Sequence, residues 1–173
     1  MKYANIKYYD VANGPGVRTS LFVSGCTHRC EGCFNEIAWD FDYGREFTKE
    51  TIDEIVDSLR EDYIAGITLL GGEPMEKVNQ VELIKLLREL KKIHPGKTVW
   101  CYTGYTYDED FKQGARAYTE VSDEFLNLVD VLVDGKFIIS LMDIRLKFRG
   151  SSNQRIIDMN QTRKNNEITL WEG

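Results

Sequence analysis

The 173-residue chain carries 22 Lys and Arg against 28 Asp and Glu, a formal net charge of −6, and 42% of its residues are hydrophobic. That balance predicts a globular fold able to bury a sizeable core without disulfide staples or a structural metal, and it gives no electrostatic reason for binding nucleic acid or an anionic membrane. No apolar run reaches the roughly 20 residues of a bilayer span, and Met1-Lys2-Tyr3-Ala4-Asn5-Ile6-Lys7 lacks a signal-peptide core, so a cytoplasmic location is expected.

In chain order, Gly14, Pro15 and Gly16 form a turn, and Thr19-Ser20-Leu21-Phe22-Val23 reads as a buried strand that ends at Ser24-Gly25. Three of the four cysteines follow at once, in Cys26-Thr27-His28-Arg29-Cys30-Glu31-Gly32-Cys33. In a reducing compartment such crowding indicates metal before disulfide. Thr48 then caps a helix that places Ile52, Ile55, Val56, Leu59 and Tyr63 on one face. A second strand, Ile67-Thr68-Leu69-Leu70, stops at Gly71-Gly72-Glu73-Pro74, where neither strand nor helix can continue.

A helix from about Asn79 to Ile93 buries Val81, Ile84, Leu87 and Leu90 and ends at His94-Pro95-Gly96. A third strand, Thr98-Val99-Trp100-Cys101-Tyr102, leads into Thr103-Gly104-Tyr105, and Cys101 reads as a small buried residue. The helical stretch Asp123–Leu128 precedes a fourth strand, Val129–Val133, and the chain from Phe137 to Gly173 is less regular. Repeated strand, loop and helix predict a mainly parallel α/β sheet with right-handed crossovers, the special loops lying at the carboxyl ends of the strands.

The chemistry concentrates in the C-x3-C-x2-C loop. Three thiolates suit a soft metal or an iron-sulfur cluster, and a cubane held by three cysteines keeps one iron open to a ligand that is not protein. The alternative is zinc held by Cys26, Cys30 and Cys33 with His28 or a distant residue, in a non-catalytic interaction module.

This loop, directly after the first predicted strand, resembles the signature of the radical S-adenosylmethionine (SAM) superfamily. Gly32 stands where that superfamily typically has an aromatic residue, and Phe34 follows the last cysteine. Gly71-Gly72-Glu73-Pro74 is similar to its second motif. Three further stretches, Asn13–Thr19, Trp100–Tyr105 and Val131–Phe137, together with Arg149-Gly150-Ser151-Ser152-Asn153-Gln154-Arg155, resemble the activating proteins of anaerobic ribonucleoside-triphosphate reductases.

The resemblance implies one 4Fe-4S cluster per chain on Cys26, Cys30 and Cys33, with SAM contacted by Gly32, Cys33 and Phe34 and by Gly71, Gly72 and Glu73. It implies an oxidoreductase that cleaves SAM and places a glycyl radical on the reductase, in a paired hetero-oligomer, with electrons from a donor such as a flavodoxin or ferredoxin. An activator of another glycyl-radical enzyme, of the formate-lyase type, is the nearer alternative. One radical SAM domain over residues 1–173 is expected, its core at about 11–155 and an irregular tail at about 156–173. A closed eight-unit barrel needs about 250 residues, so the expected fold is an incomplete, open (β/α) barrel.

Overall fold

The computed structural model describes residues 1–173. Strands β1 (Lys2–Asp10) and β2 (Val17–Val23) open the chain. After the cysteine loop come β3 (Arg45–Glu46), α1 (Lys49–Ser58), β4 (Ile64–Gly71), α2 (Lys77–Ile93) and β5 (Thr98–Tyr102). Short helices α3 (Tyr107–Asp110) and α4 (Ser122–Leu128) precede β6 (Val131–Asp134), and β7 (Arg155–Asp158) and α5 (Met159–Asn165) complete the set. All seven strands form one sheet in the order β3-β1-β2-β4-β5-β6-β7.

The expected incomplete open barrel with a mainly parallel sheet is overturned by this topology. Only the three central pairings, β2 with β4, β4 with β5 and β5 with β6, are parallel. The other three, β1 with β2, β1 with β3 and β6 with β7, are antiparallel, so the fold is a mixed α/β sheet. The cause is in the connections. The short Val11–Gly16 link between β1 and β2 cannot carry a crossover, which needs a dozen or more residues, so it must reverse the chain. Between β6 and β7 the chain holds only a 3-10 turn at Ile139–Leu141 and no α-helix, and it too returns antiparallel.

Side-chain parity divides the sheet into two faces. Leu21, Ile67, Leu69, Val99, Cys101, Leu132 and Ile157 join the main core with Ile52, Ile55, Leu83 and Leu87 of α1 and α2. Helix α1 packs on α2 and α2 on α4 along this face. A capping box at Thr48 starts α1, which ends at Ser58 and leaves Tyr63 60% exposed rather than on the buried stripe. The opposite face carries Arg18, Ser20, Phe22, Thr68, Leu70, Trp100 and Tyr102 and has no helix over it. The segment after residue 155 is not irregular: Ile156–Asp158 belong to β7, α5 follows, and Leu170 bridges to Ile157. No helix is long and apolar enough to cross a membrane.

On the helix-free face Arg18 is 1% exposed. Its guanidinium donates to Thr68 Oγ1 at 2.8 Å, Thr98 Oγ1 at 3.0 Å and the carbonyls of Pro15, Ile67 and Thr98, and lies over the Trp100 ring. Burial lowers its pKa to about 10, which leaves it charged at neutral pH. The Asn13–Thr19 motif is thus stitched to β4 and β5 by one satisfied buried cation.

Candidate functional site

A cavity of about 780 Å³ lies at the carboxyl ends of β2, β4 and β5, on the helix-free face. Phe22, Leu70 and Tyr102 form its floor. Cys26, Cys30, Cys33 and Phe34 line it from the cysteine loop, Gly71, Gly72 and Glu73 from the loop after β4, Thr103 and Gly104 from the loop after β5, and Gly135 and Phe137 from the loop after β6. Its size suits a small-molecule ligand, and strand ends are where an α/β sheet places one.

The structure brings together all of the sequence-derived site residues except Gly32. That residue lies outside the cavity lining at φ +71°, turning the loop where an added Cβ would meet Ile139 Cδ1 at 2.4 Å. Phe34 is 79% exposed and its ring sits 5.4 Å from that of Phe137. Gly72 is required by proximity: a Cβ there would meet the carbonyl oxygens of Gly25 at 2.6 Å and Ala38 at 2.8 Å. The Glu73 carboxylate, 1% exposed, is engaged by three donors: His28 Nε2 at 2.8 Å, the Gly104 N–H at 2.7 Å and the Met75 N–H at 2.8 Å.

Burial pushes the Cys26 thiol up to about 12, with Glu73 and Glu76 adding to it against the pull of the His28 and Arg29 N–H groups. Cys30 is also raised, chiefly by burial. Metal binding therefore has to displace protons from these thiols. No three His, Cys, Asp or Glu side chains converge as a single ion requires. His28, the residue considered as a fourth zinc ligand, has its Nε2 taken by Glu73. Three thiols lining one cavity are the soft donor set that an iron-sulfur cluster takes, while the candidate fourth zinc ligand is already engaged by Glu73.

Cys101 is fully buried in β5, as its sequence context indicates. The closing Arg149–Arg155 motif acts through the loop after β6. Gln154 Oε1 accepts from the Gly150 and Ser151 N–H groups, and its Nε2 donates to the Gly135 carbonyl at 2.9 Å. Arg155 grips the buried Asp134 through Nε at 2.9 Å and a terminal nitrogen at 2.6 Å. Sequence reasoning missed Asn5 and Lys7 as cavity residues, because strand pairing alone brings β1 beside β2, and it singled out the motifs of Asn13 and Gln154 without placing those side chains at the cavity. It also missed the contacts of Thr27 and Glu76, which no residue type announces.

A family model described as a 4Fe-4S single cluster domain matches residues 12–157. The chain is similar to proteins named anaerobic ribonucleoside-triphosphate reductase-activating protein from several sources. It is 41% identical over 156 residues to the one from Salmonella typhi, covering 89% of this chain and 96% of the relative. It is 42% identical over 156 residues to the one from Enterobacteria phage T4, covering 90% and 93%. The Vibrio cholerae protein is 41% identical over 160 residues, covering 90% and 97%. With its cysteine loop facing a ligand-sized cavity and matches that run through nearly the whole chain, the protein belongs to the 4Fe-4S single cluster domain family and, within it, to the anaerobic ribonucleoside-triphosphate reductase-activating proteins.

Proposed function

We propose that this protein is a radical SAM activase, an oxidoreductase that places a glycyl radical on an anaerobic ribonucleoside-triphosphate reductase. The observation that supports this most is that Cys26, Cys30 and Cys33 line one open cavity together with the Gly71-Gly72-Glu73 turn. A reduced 4Fe-4S cluster held there by Cys26, Cys30 and Cys33 would supply the one-electron chemistry that cleaves SAM and so allows a hydrogen atom to be taken from a glycine Cα of the reductase.

The chain's own residues position and shelter. Cys26, Cys30 and Cys33 would hold the cluster, and, with only three thiolates supplied by the chain, it would keep room for a ligand from SAM. Gly71 and Gly72, which end β4 beside Val23 and Gly25, let the peptide groups of that loop approach the ammonium group closely. Glu73 acts as the brace of this loop, since three protein donors already occupy its carboxylate. Cys33 and Phe34 border the cavity on the other side, and Gly32 shapes the turn that presents them. No side chain is needed as an acid or base, because the cofactor supplies the reactivity and the protein the orientation.

The same reading makes residues 1–173 one functional unit in the cytoplasm, paired with the reductase and reduced by a flavodoxin- or ferredoxin-like donor, with neither nucleic acid nor membrane as a direct ligand. The test is anaerobic reconstitution with iron and sulfide, reduction, and addition of SAM. A cluster whose electron paramagnetic resonance changes with SAM, together with release of 5′-deoxyadenosine that Cys30→Ala abolishes, is the expected result. Zinc in place of iron with no cleavage, or full cleavage by Cys30→Ala, would overturn it.

A further inference from the structure

Between Cys26 and Cys33 the peptide backbone forms one internal hydrogen bond, Cys33 N–H to the Cys30 carbonyl at 3.2 Å. At its start Cys26 N–H donates to the Trp39 carbonyl at 3.2 Å, and Thr27 N–H donates to Glu76 Oε1 at 2.7 Å, the same oxygen that the Thr27 hydroxyl reaches at 2.6 Å. The next residue, His28, donates Nε2–H to Glu73 Oε2 at 2.8 Å, with side chains 7% and 2% exposed. Two adjacent residues of the cysteine loop are thus held by two carboxylates of the loop that follows β4.

The His28 contact is also built into the third loop. Gly104 N–H donates to the same Glu73 oxygen at 2.7 Å, and a Cβ on Gly104 would lie 2.8 Å from His28 Nε2. The imidazole packs edge-on to Tyr105, with ring centroids 4.4 Å apart. Burying the polar side chains of His28, Glu73 and Glu76 where apolar ones would pack costs stability unless every partner is met. Here the partners are met, and they join the loop that carries the thiols to the loop that carries Gly71 and Gly72.

Resting on the proposed function, we propose that His28, Glu73 and Glu76 are positioning residues: together with Thr27 they clamp the cysteine loop to the Gly-Gly loop and so fix the distance between the cluster and the methionyl group of SAM. Glu73 acts through His28 and the Gly104 amide and does not touch the ligand with its carboxylate.

The test compares His28→Ala and Glu76→Ala with His28→Gln and Glu76→Gln, which keep a donor and an acceptor at similar reach. In the apo-protein, alkylation of Cys26 followed by mass spectrometry reads loop mobility. In the reconstituted protein, the KM and kcat for SAM cleavage are separated. Both Ala variants should raise the Cys26 alkylation rate and the KM for SAM by about tenfold, with kcat far less affected, whereas both Gln variants should stay within about threefold of the parent. Ala variants equal to the parent in both readouts, or Gln variants as impaired as Ala, would overturn the clamp. Should His28→Ala fail to fold, the Glu76 pair carries the same comparison. A parent protein that assembles no cluster would sink the proposed function instead, and the alkylation rates would still decide the clamp.

Discussion

Gly72 shows how one hydrogen in place of a methyl sets the width of the site. Its added Cβ would meet two carbonyl oxygens, of Gly25 and Ala38, and backbone cannot swing aside as a flexible side chain can. Gly72→Ala should therefore cost about 2 kcal/mol, the usual scale of overpacking, and loosen the cysteine loop. Gly96, with nothing within 4 Å of its Cβ position, is the control, and Gly96→Ala should change stability by no more than about 0.5 kcal/mol. Urea unfolding of the two apo-variants checks both, and equal midpoints would refute the steric account. Asp10 makes the electrostatic counterpart. Burial alone would push its carboxyl up, but hydrogen bonds from Ser20, Asn13 and the Ala12 N–H, with Lys7 at 3.2 Å, outweigh it and hold it at about 2. A depressed folded-state value means stability present above the ordinary aspartate pKa and lost as pH falls from about 4 to about 2, on the order of 2 kcal/mol in all. Asp10→Asn should lose about that much at pH 7 and show a flatter stability profile across the acid window. Unfolding midpoints at pH 7, 4 and 3 measure it, and an unchanged acid slope would count against the assignment.

At the scale of elements, the sequence discloses what regular periodicity can write. The helical spacing of Ile52, Ile55, Val56 and Leu59 appears as the buried stripe of α1, and β5 has the bounds that its apolar run indicates. Helix α2 buries the expected Ile84, Leu87 and Leu90, leaves the expected Val81 half-buried, and adds Leu83 and Leu86, because it is packed by the sheet beneath and by α1 and α4 at its sides, which widens its apolar face. Strand β1 was illegible for a definite reason. Its pairing with β2 slips between Tyr3 and Asn5 and again between Lys7 and Asp10, and Tyr9 sits at φ 56°, so the alternation that marks a strand is broken twice. Strand β7 has four residues, too few to show a period, and is fixed instead by Arg155 on Asp134 across the ladder. These two unseen strands, with the two-residue β3 that pairs on β1, are what turn an expected open barrel into a mixed sheet. The candidate site was more legible than the fold, since Gly71 closes a strand and Cys26 and Gly104 follow strands where apolar runs stop, and a strand end has only one place to go in a parallel core. What joins those loops, the carboxylates of Glu73 and Glu76, depends on tertiary distance and leaves no trace in spacing.

For the whole molecule, the decisive asymmetry is between the two faces of the sheet. Helices cover one, and the other is shared between the open cavity at the carboxyl ends of the strands and a second apolar cluster lower down. There Trp100 meets Phe148 at 5.5 Å and Trp171 at 5.0 Å between ring centroids, the last brought back by its N–H to the Ile156 carbonyl at 2.8 Å. Residues after Asp158, which the sequence leaves without a purpose, thus seal the lower half of a face that must stay open above. Removing the half-buried indole should strip cover from Trp100, which is 2% exposed, and from the Arg18 guanidinium over it. Trp171→Ala is expected to cost about 2 kcal/mol, below the 3 to 5 of a fully buried tryptophan, and to red-shift tryptophan emission as water reaches Trp100. Since Trp171 lines no part of the cavity, iron content and the KM for SAM should remain those of the parent. A variant that keeps its unfolding midpoint but loses cluster would instead make the tail part of the site and dissolve the division of the face into a sealed half and a working half.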